Sequence, residues 1–218
     1  MNDLLSGLNG GSVPTLELIF MITLIALLPS IVIMMTSFTR TIIILSFTRN
    51  AMGIQQTPPN MVLVGIALFL TLYIMNPVIT RINQEAYQPY LRGEITQQEA
   101  VERMGVPMKE FMLRNTEKET LDAFVEMSGT EIMENVQDYP MTVVTPAFMT
   151  SELKRGFTAG FLIYLPFLLI DIVVATTLMS MGMVMLPPTM VSLPFKLLLF
   201  VTVDGWQLLF SNIVQSFR

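Results

Sequence analysis

The 218-residue sequence contains no cysteine and no histidine. Their absence excludes disulfides, thiolate chemistry, zinc held by the usual nitrogen and sulfur ligands, and an imidazole base, which removes most catalytic constellations before any motif is sought. Charge is scarce too, at 13% of residues against 52% apolar ones. Such a composition, with uncharged stretches long enough to cross a bilayer, marks an integral membrane protein and not a soluble enzyme. No cofactor and no metal are expected. A net charge of −5 argues against nucleic acid as a partner. Asp3 stands where a secretory leader carries a basic region, and nothing like A-x-A closes the first apolar run, so no cleavable signal peptide is expected.

What is present is organised by apolar runs. Residues 18–39 carry no charge over 22 positions, with Pro29 inside the run. Arg40 and Arg49 bracket an apolar stretch that continues the helix, and their charges predict a cytoplasmic edge. A turn holding Gly53, Pro58 and Pro59 leads into a second run that ends at Thr80. Residues 81–155 differ in kind, with 13 acidic and 8 basic side chains and no long apolar run, so they read as a water-facing domain. Thr96-x-x-Glu99 and Thr116-x-x-Glu119 have the form of capping boxes, and Pro107 suits the first turn of a helix between them, which predicts three short helices. These offer few large apolar side chains, so the domain is marginal alone. Phe111 and Phe124 are candidates to face a neighbouring subunit, with ordinary core packing as the alternative for each. Residues 139–148, with two prolines, read as a linker.

The second half is dominated by one uncharged stretch, Met179-Ser180-Met181-Gly182-Met183-Val184-Met185-Leu186-Pro187-Pro188-Thr189-Met190. An apolar run from Gly156 precedes it and another from Val191 follows, so it reads as the tip of a helical hairpin whose ladder breaks near Leu186 and restarts after Pro188. Unbranched thioethers fill irregular gaps and repack around a moving partner, which suits an opening that must seal and yield. The alternative is that methionine, 19 of the 218 residues, simply fills core space. Gly156-x-x-x-Gly160 permits close approach of another helix, although the pattern arises often by chance. Glu152 and Lys154 form a charged corner where the water-facing domain meets the third span. Asp171 lies inside that span, and Lys196 and Asp204 lie inside the fourth, residues 191–210. Charges at such depth should face protein or water, so Asp171 is expected to pair with Lys196, with a proton relay as the functional alternative.

An internal repeat joins the two turns. Met52-Gly53, Pro58-Pro59 and Met61-Val62 match Met181-Gly182, Pro187-Pro188 and Met190-Val191 at a constant offset of 129, six identities in eleven positions. The expected architecture is therefore an all-α membrane protein: two repeated helical hairpins (1–80 with its lead, and 156–218) in one orientation, with a small helical extracytoplasmic domain (81–155) inserted between them. A small-solute transporter subunit fits repeated hairpins with intramembrane charges; four short spans with no polar midplane site and a long insert speak against it.

Ser37-Phe38-Thr39-Arg40, the Pro58-Pro59-Asn60 turn, Thr150-Ser151-Glu152-Leu153-Lys154, the run from Ile163 to Asp171, and Met181 through Pro188 and Leu193-Pro194-Phe195-Lys196 to Val203-Asp204-Gly205-Trp206 together resemble the FliP family of type III protein export-gate subunits. The resemblance spans nearly the whole chain. It implies a non-enzymatic subunit in the bacterial cytoplasmic (inner) membrane at the flagellar basal body. It implies five copies in a homo-oligomeric ring with FliQ and FliR, contacts with other export-apparatus membrane proteins and with lipid, and unfolded secreted proteins as cargo. Much of such a core stands outside the bilayer plane. The family's run of consecutive methionines, which forms a gasket around the closed channel, falls on Met183, Val184 and Met185. Here valine replaces the central methionine, keeping the apolar character and losing flexibility.

Overall fold

The computed structural model describes residues 14–54, 56–131, 133 and 135–217. Asp3, on which the reading of the leader turns, lies outside them. All regular structure among the described residues is helical. Two compact units divide between Met34 and Met35. The first is α1, Pro14–Met34. The second holds α2 (Phe38–Ala51), α3 (Asn60–Ile82), α4 (Gln88–Leu91), α5 (Gln97–Asn115), α6 (Lys118–Ser128), α7 (Met141–Ser180), α8 (Pro188–Thr202) and α9 (Gly205–Gln215). The first apolar run is thus two helices, α1 and α2. Between them Thr36 Oγ1 accepts the Phe38 N–H at 3.4 Å.

Among the described residues two helical stretches are long and apolar enough to cross a membrane, Asn60–Leu91 and Met141–Ser180, and α8 with α9 adds a third if that pair, bent by 62°, counts as one span. The expected fourth span is therefore broken. Asp204 at the break adopts φ 50°, the left-handed region, and Gly205 lies so close to the Phe200 ring that a Cβ would come within 2.4 Å of it.

The water-facing region also departs from expectation. The Thr96 box is present: Thr96 Oγ1 accepts the Glu99 N–H, and Glu99 Oε2 accepts the Thr96 N–H at 2.8 Å. The Thr116 box is not, because the Thr116 hydroxyl turns back to donate to Met112 O at 2.7 Å, and Ser151 Oγ accepts the Glu117 N–H in its stead. Helix α5 runs straight through Pro107, so two helices stand where three short ones were expected. The stretch 139–148 is no linker. Pro140 is the N-cap of α7, where a missing N–H costs nothing, and Pro146 forfeits one bond early in a helix whose Val143, Val144, Ala147 and Phe148 are fully packed.

Helix α7 sets the scale of the fold. Forty residues at about 1.5 Å each span about 60 Å, twice the roughly 30 Å of hydrocarbon in a bilayer, so half of it must find another environment. Its buried positions gather in the first half, from Val143 to Gly160. There one apolar core takes Leu45 from α2, Met75 from α3, Met112 from α5, Leu121 from α6, Phe148 from α7 and Ile213 from α9. The shortage of large side chains in 81–155 is met inside the chain, by the bases of the long helices.

Candidate functional site

Helix α7 ends at Ser180, six residues before the expected break at Leu186, because Gly182 closes it. Gly182 takes φ +77°; its N–H donates to Met179 O at 3.1 Å, and the Met183 N–H donates to Leu178 O at 3.0 Å. This is the paired closure that satisfies the last carbonyls of a helix and favours glycine at its left-handed position. Pro187 then caps α8, and Pro188 occupies its first position. Between these stops the loop projects its side chains outward: Met183 is 42% exposed, Val184 79% and Met185 98%. No residue from 179 to 190 is charged.

The first tip is built alike at its closing glycine and differs in its surroundings. Gly53 takes φ +79°, and Pro59 caps α3. The Arg49 guanidinium holds the turn through Pro58 O at 3.3 Å and the Asn60 side chain. Met52 is buried with Phe167 and Phe200, and a Cβ on Gly53 would lie 3.5 Å from Leu193 and 3.9 Å from Lys196 Nζ. Gln55 is outside the described residues.

Beneath the tips lies a charge cluster. Lys196 Nζ donates to Asp171 Oδ2 at 2.6 Å and to Ala51 O at 3.3 Å, while Ser192 Oγ donates to Asp171 Oδ1 at 2.6 Å. The ammonium thus neutralises a carboxylate from α7 and satisfies a carbonyl at the C-terminus of α2, where the helix dipole favours a cation. Asp204 joins no such cluster: it is exposed at the α8–α9 break and caps α9 without a side-chain hydrogen bond.

Glu152 and Lys154 do not act together. Two positions apart on a helix, they point to opposite sides. Glu152, fully buried, pairs through both oxygens with Arg40, which is 3% exposed, donates to Ser216 O and Oγ, and stacks 3.8 Å from the centroid of Phe217. Lys154 is exposed and meets Glu117 at 2.6 Å, and that hydrogen bond holds the Glu117 carboxyl below its ordinary range. Burial also removes Arg40 from the loop charges that orient a membrane protein, leaving Arg49 at the first tip.

The small residues serve the same junction. A Cβ on Gly156 would meet Ile43 at 3.1 Å and one on Gly160 would meet the Phe47 ring at 2.5 Å, so the helix admitted by this pattern is the chain's own α2. Phe111 is buried, stacked on Phe217 with centroids 6.1 Å apart and edge-on to Phe148; Phe124 packs half-buried on the same core. Both positions match the ordinary-core alternative within one chain. Sequence reasoning missed Arg40 as the partner of Glu152, although the rule applied to Asp171, that a charge amid apolar residues must find a partner, covers it equally. Nothing in the sequence signalled Ser192, the Ala51 carbonyl or the Phe200–Gly205 contact.

Chemically, the arrangement offers an uncharged loop with exposed apolar side chains beside a neutralised charge cluster. Among the described residues no three acidic side chains come together as metal ligands. A model of the FliP family matches residues 21–213. The chain is 46% identical over 212 residues to a flagellar biosynthetic protein FliP of Aquifex aeolicus, covering 96% of this chain and 89% of that one. It is 48% identical over 203 residues to the protein of the same name from Bacillus subtilis, covering 93% and 92%. A third relative so named, from Pectobacterium carotovorum, is 48% identical over 211 residues, covering 96% and 82%.

Proposed function

This chain belongs to the FliP family, and on that premise we propose that it works as a subunit of the flagellar type III export gate in the inner membrane, with the 183–185 turn as the seal of the channel. Five copies with FliQ and FliR form the ring, and unfolded flagellar proteins are the cargo. The observation that carries the seal is the exposure of Met183, Val184 and Met185 on a loop whose backbone is well closed and whose neighbours carry no charge. Apolar side chains held outward by a folded turn need a partner surface, and copies of the same turn around an axis supply one. A constriction so lined stops ions by refusing to hold water, and thioethers with several free torsions conform to any passing polypeptide.

The repeat supports the same reading. Gly53 and Gly182 share both the offset and the left-handed backbone, and each closes a helix ahead of a Pro-Pro pair. Two related hairpins in one orientation place both tips at one level, and the Lys196 contact to Ala51 O ties them. The residues from 81 to 155 then form the insertion, packed on the hairpin bases.

Joint replacement of Met183, Val184 and Met185 by alanine tests the seal. The expected result is a complex assembled in normal amount that leaks small ions when expressed. Loss of assembly, with no leak from whatever complex remains, would make these side chains ordinary packing residues.

A further inference from the structure

With no cysteine in the chain, thioethers are its only sulfur. Five of them lie within 179–190, and within the single subunit they are open: Met181 is 63% exposed, Met185 98% and Met190 71%, whereas Met52, Met75 and Met112 are at 3% or less. Where copies of the turn meet around a channel, the side chains that line it stay within reach of a solute as small as hydrogen peroxide. The repeat sharpens the contrast. At the offset of 129, Met183 and Met185 stand where the first tip has Ile54 and Gln56, and Met52, the counterpart of Met181, is buried. Met61 and Met190 are open in both tips, at 86% and 71%, so what the second tip adds is Met181, Met183 and Met185, accessible thioethers that its own duplicate lacks.

We propose that the 179–190 tip is a peroxide-responsive modification site, in which conversion of its thioethers to sulfoxides wets the seal. The inference rests on the export-gate reading given above. In the step, a sulfur lone pair attacks one oxygen of hydrogen peroxide and the O–O bond breaks. The departing hydroxide takes the proton from the sulfur-bound oxygen and leaves as water. Sulfur is oxidised by two electrons and peroxide is reduced. The product is a polar, chiral side chain with a strong acceptor oxygen. A ring that excludes ions by dewetting loses that property when water is offered such acceptors. Sulfoxide reductases restore the thioether, so the change is a switch and not only damage.

The test uses the assembled complex in liposomes, treated with hydrogen peroxide, with oxygen uptake followed by peptide mass spectrometry and ion leak by an entrapped dye. Uptake at Met181 and Met185 is expected about tenfold faster than at Met52, Met75 and Met112. Leak should rise about tenfold in step with it and fall back after treatment with methionine sulfoxide reductases. Met127 is exposed and remote in sequence from the tip, so Met127→Leu should leave the peroxide response unchanged. Uptake at the tip no faster than at the buried methionines overturns the inference, as does a fully oxidised tip with no leak. If the triple alanine replacement leaks while oxidation does not, the switch alone fails; if neither leaks, the export-gate seal fails with it.

Discussion

Glu152→Ala is the sharpest perturbation of this fold, because it removes one half of a pair that has no access to water. The Arg40 guanidinium would keep Ser216 and the Phe217 face but lose both carboxylate oxygens, at a site 3% exposed. Leaving a buried charge uncompensated costs about 3–5 kcal/mol, a large share of the roughly 5–15 kcal/mol by which a protein exceeds its unfolded state. Removing both charges with Arg40→Met and Glu152→Leu should recover most of that loss, since apolar replacement of a buried pair is often neutral. Arg40→Lys should not, because an ammonium offers neither the two-pronged fork nor the flat face that stacks on Phe217. Lys154→Ala, by contrast, removes an exposed partner and should cost about 0–1 kcal/mol. Unfolding of the single subunit in detergent, followed by the fluorescence of Trp206, the sole tryptophan, reads all four variants. An unshifted midpoint for Glu152→Ala together with loss of the proposed ring would refute the reasoning, and would mean that Glu152 meets its cation on another subunit.

The glycines make a graded prediction: Gly160→Ala forces a Cβ to within 2.5 Å of the stem of the Phe47 ring and should lower the unfolding free energy by about 1–3 kcal/mol, while Gly156→Ala, at 3.1 Å from Ile43, should be near neutral once the gain in helix propensity is counted. Equal effects at the two positions would show that α2 and α7 are not packed as described. The Glu117 carboxyl, held low by Lys154, favours its charged form in the fold; its stabilisation is present above the ordinary glutamate value of about 4.3 and is lost as pH falls through the depressed one. A titration of the unfolding midpoint from about pH 6 to about pH 3 should therefore be shallower in Glu117→Gln, and an unchanged slope would remove the Lys154 contact from the account.

Helical class, tip positions and the small-residue contact were legible because each follows from a local rule. Gly182 ends a helix, Pro188 starts one, and Gly156 with Gly160 opens a groove, whatever lies elsewhere in the chain. The stretch 139–148 was misread because proline carries opposite meanings at the start and in the middle of a helix, and only tertiary packing of Val144 and Phe148 decides which applies. The broken fourth span failed similarly. Nothing in its mean hydropathy foretells that Phe200 claims the space of a Cβ on Gly205.

The charges show why the rest was hidden. Arg40 sits at the edge of an apolar run as a loop charge would, and only a carboxylate 112 residues away reveals it as interior. Lys196 reads as one end of a pair with Asp171, yet its second contact, the Ala51 carbonyl, comes from the other repeat and leaves no trace in side-chain pattern. That contact matters most for the mechanism. The proposed seal needs side chains free to move on a base that does not, and here Asp171, Ser192 and Lys196 tie α7, α8 and the end of α2 to one another while Val184 and Met185 are exposed. On the proposed reading the parting of the seal falls to the methionine side chains and the seven residues between Ser180 and Pro188, and it leaves the helices that carry them in place.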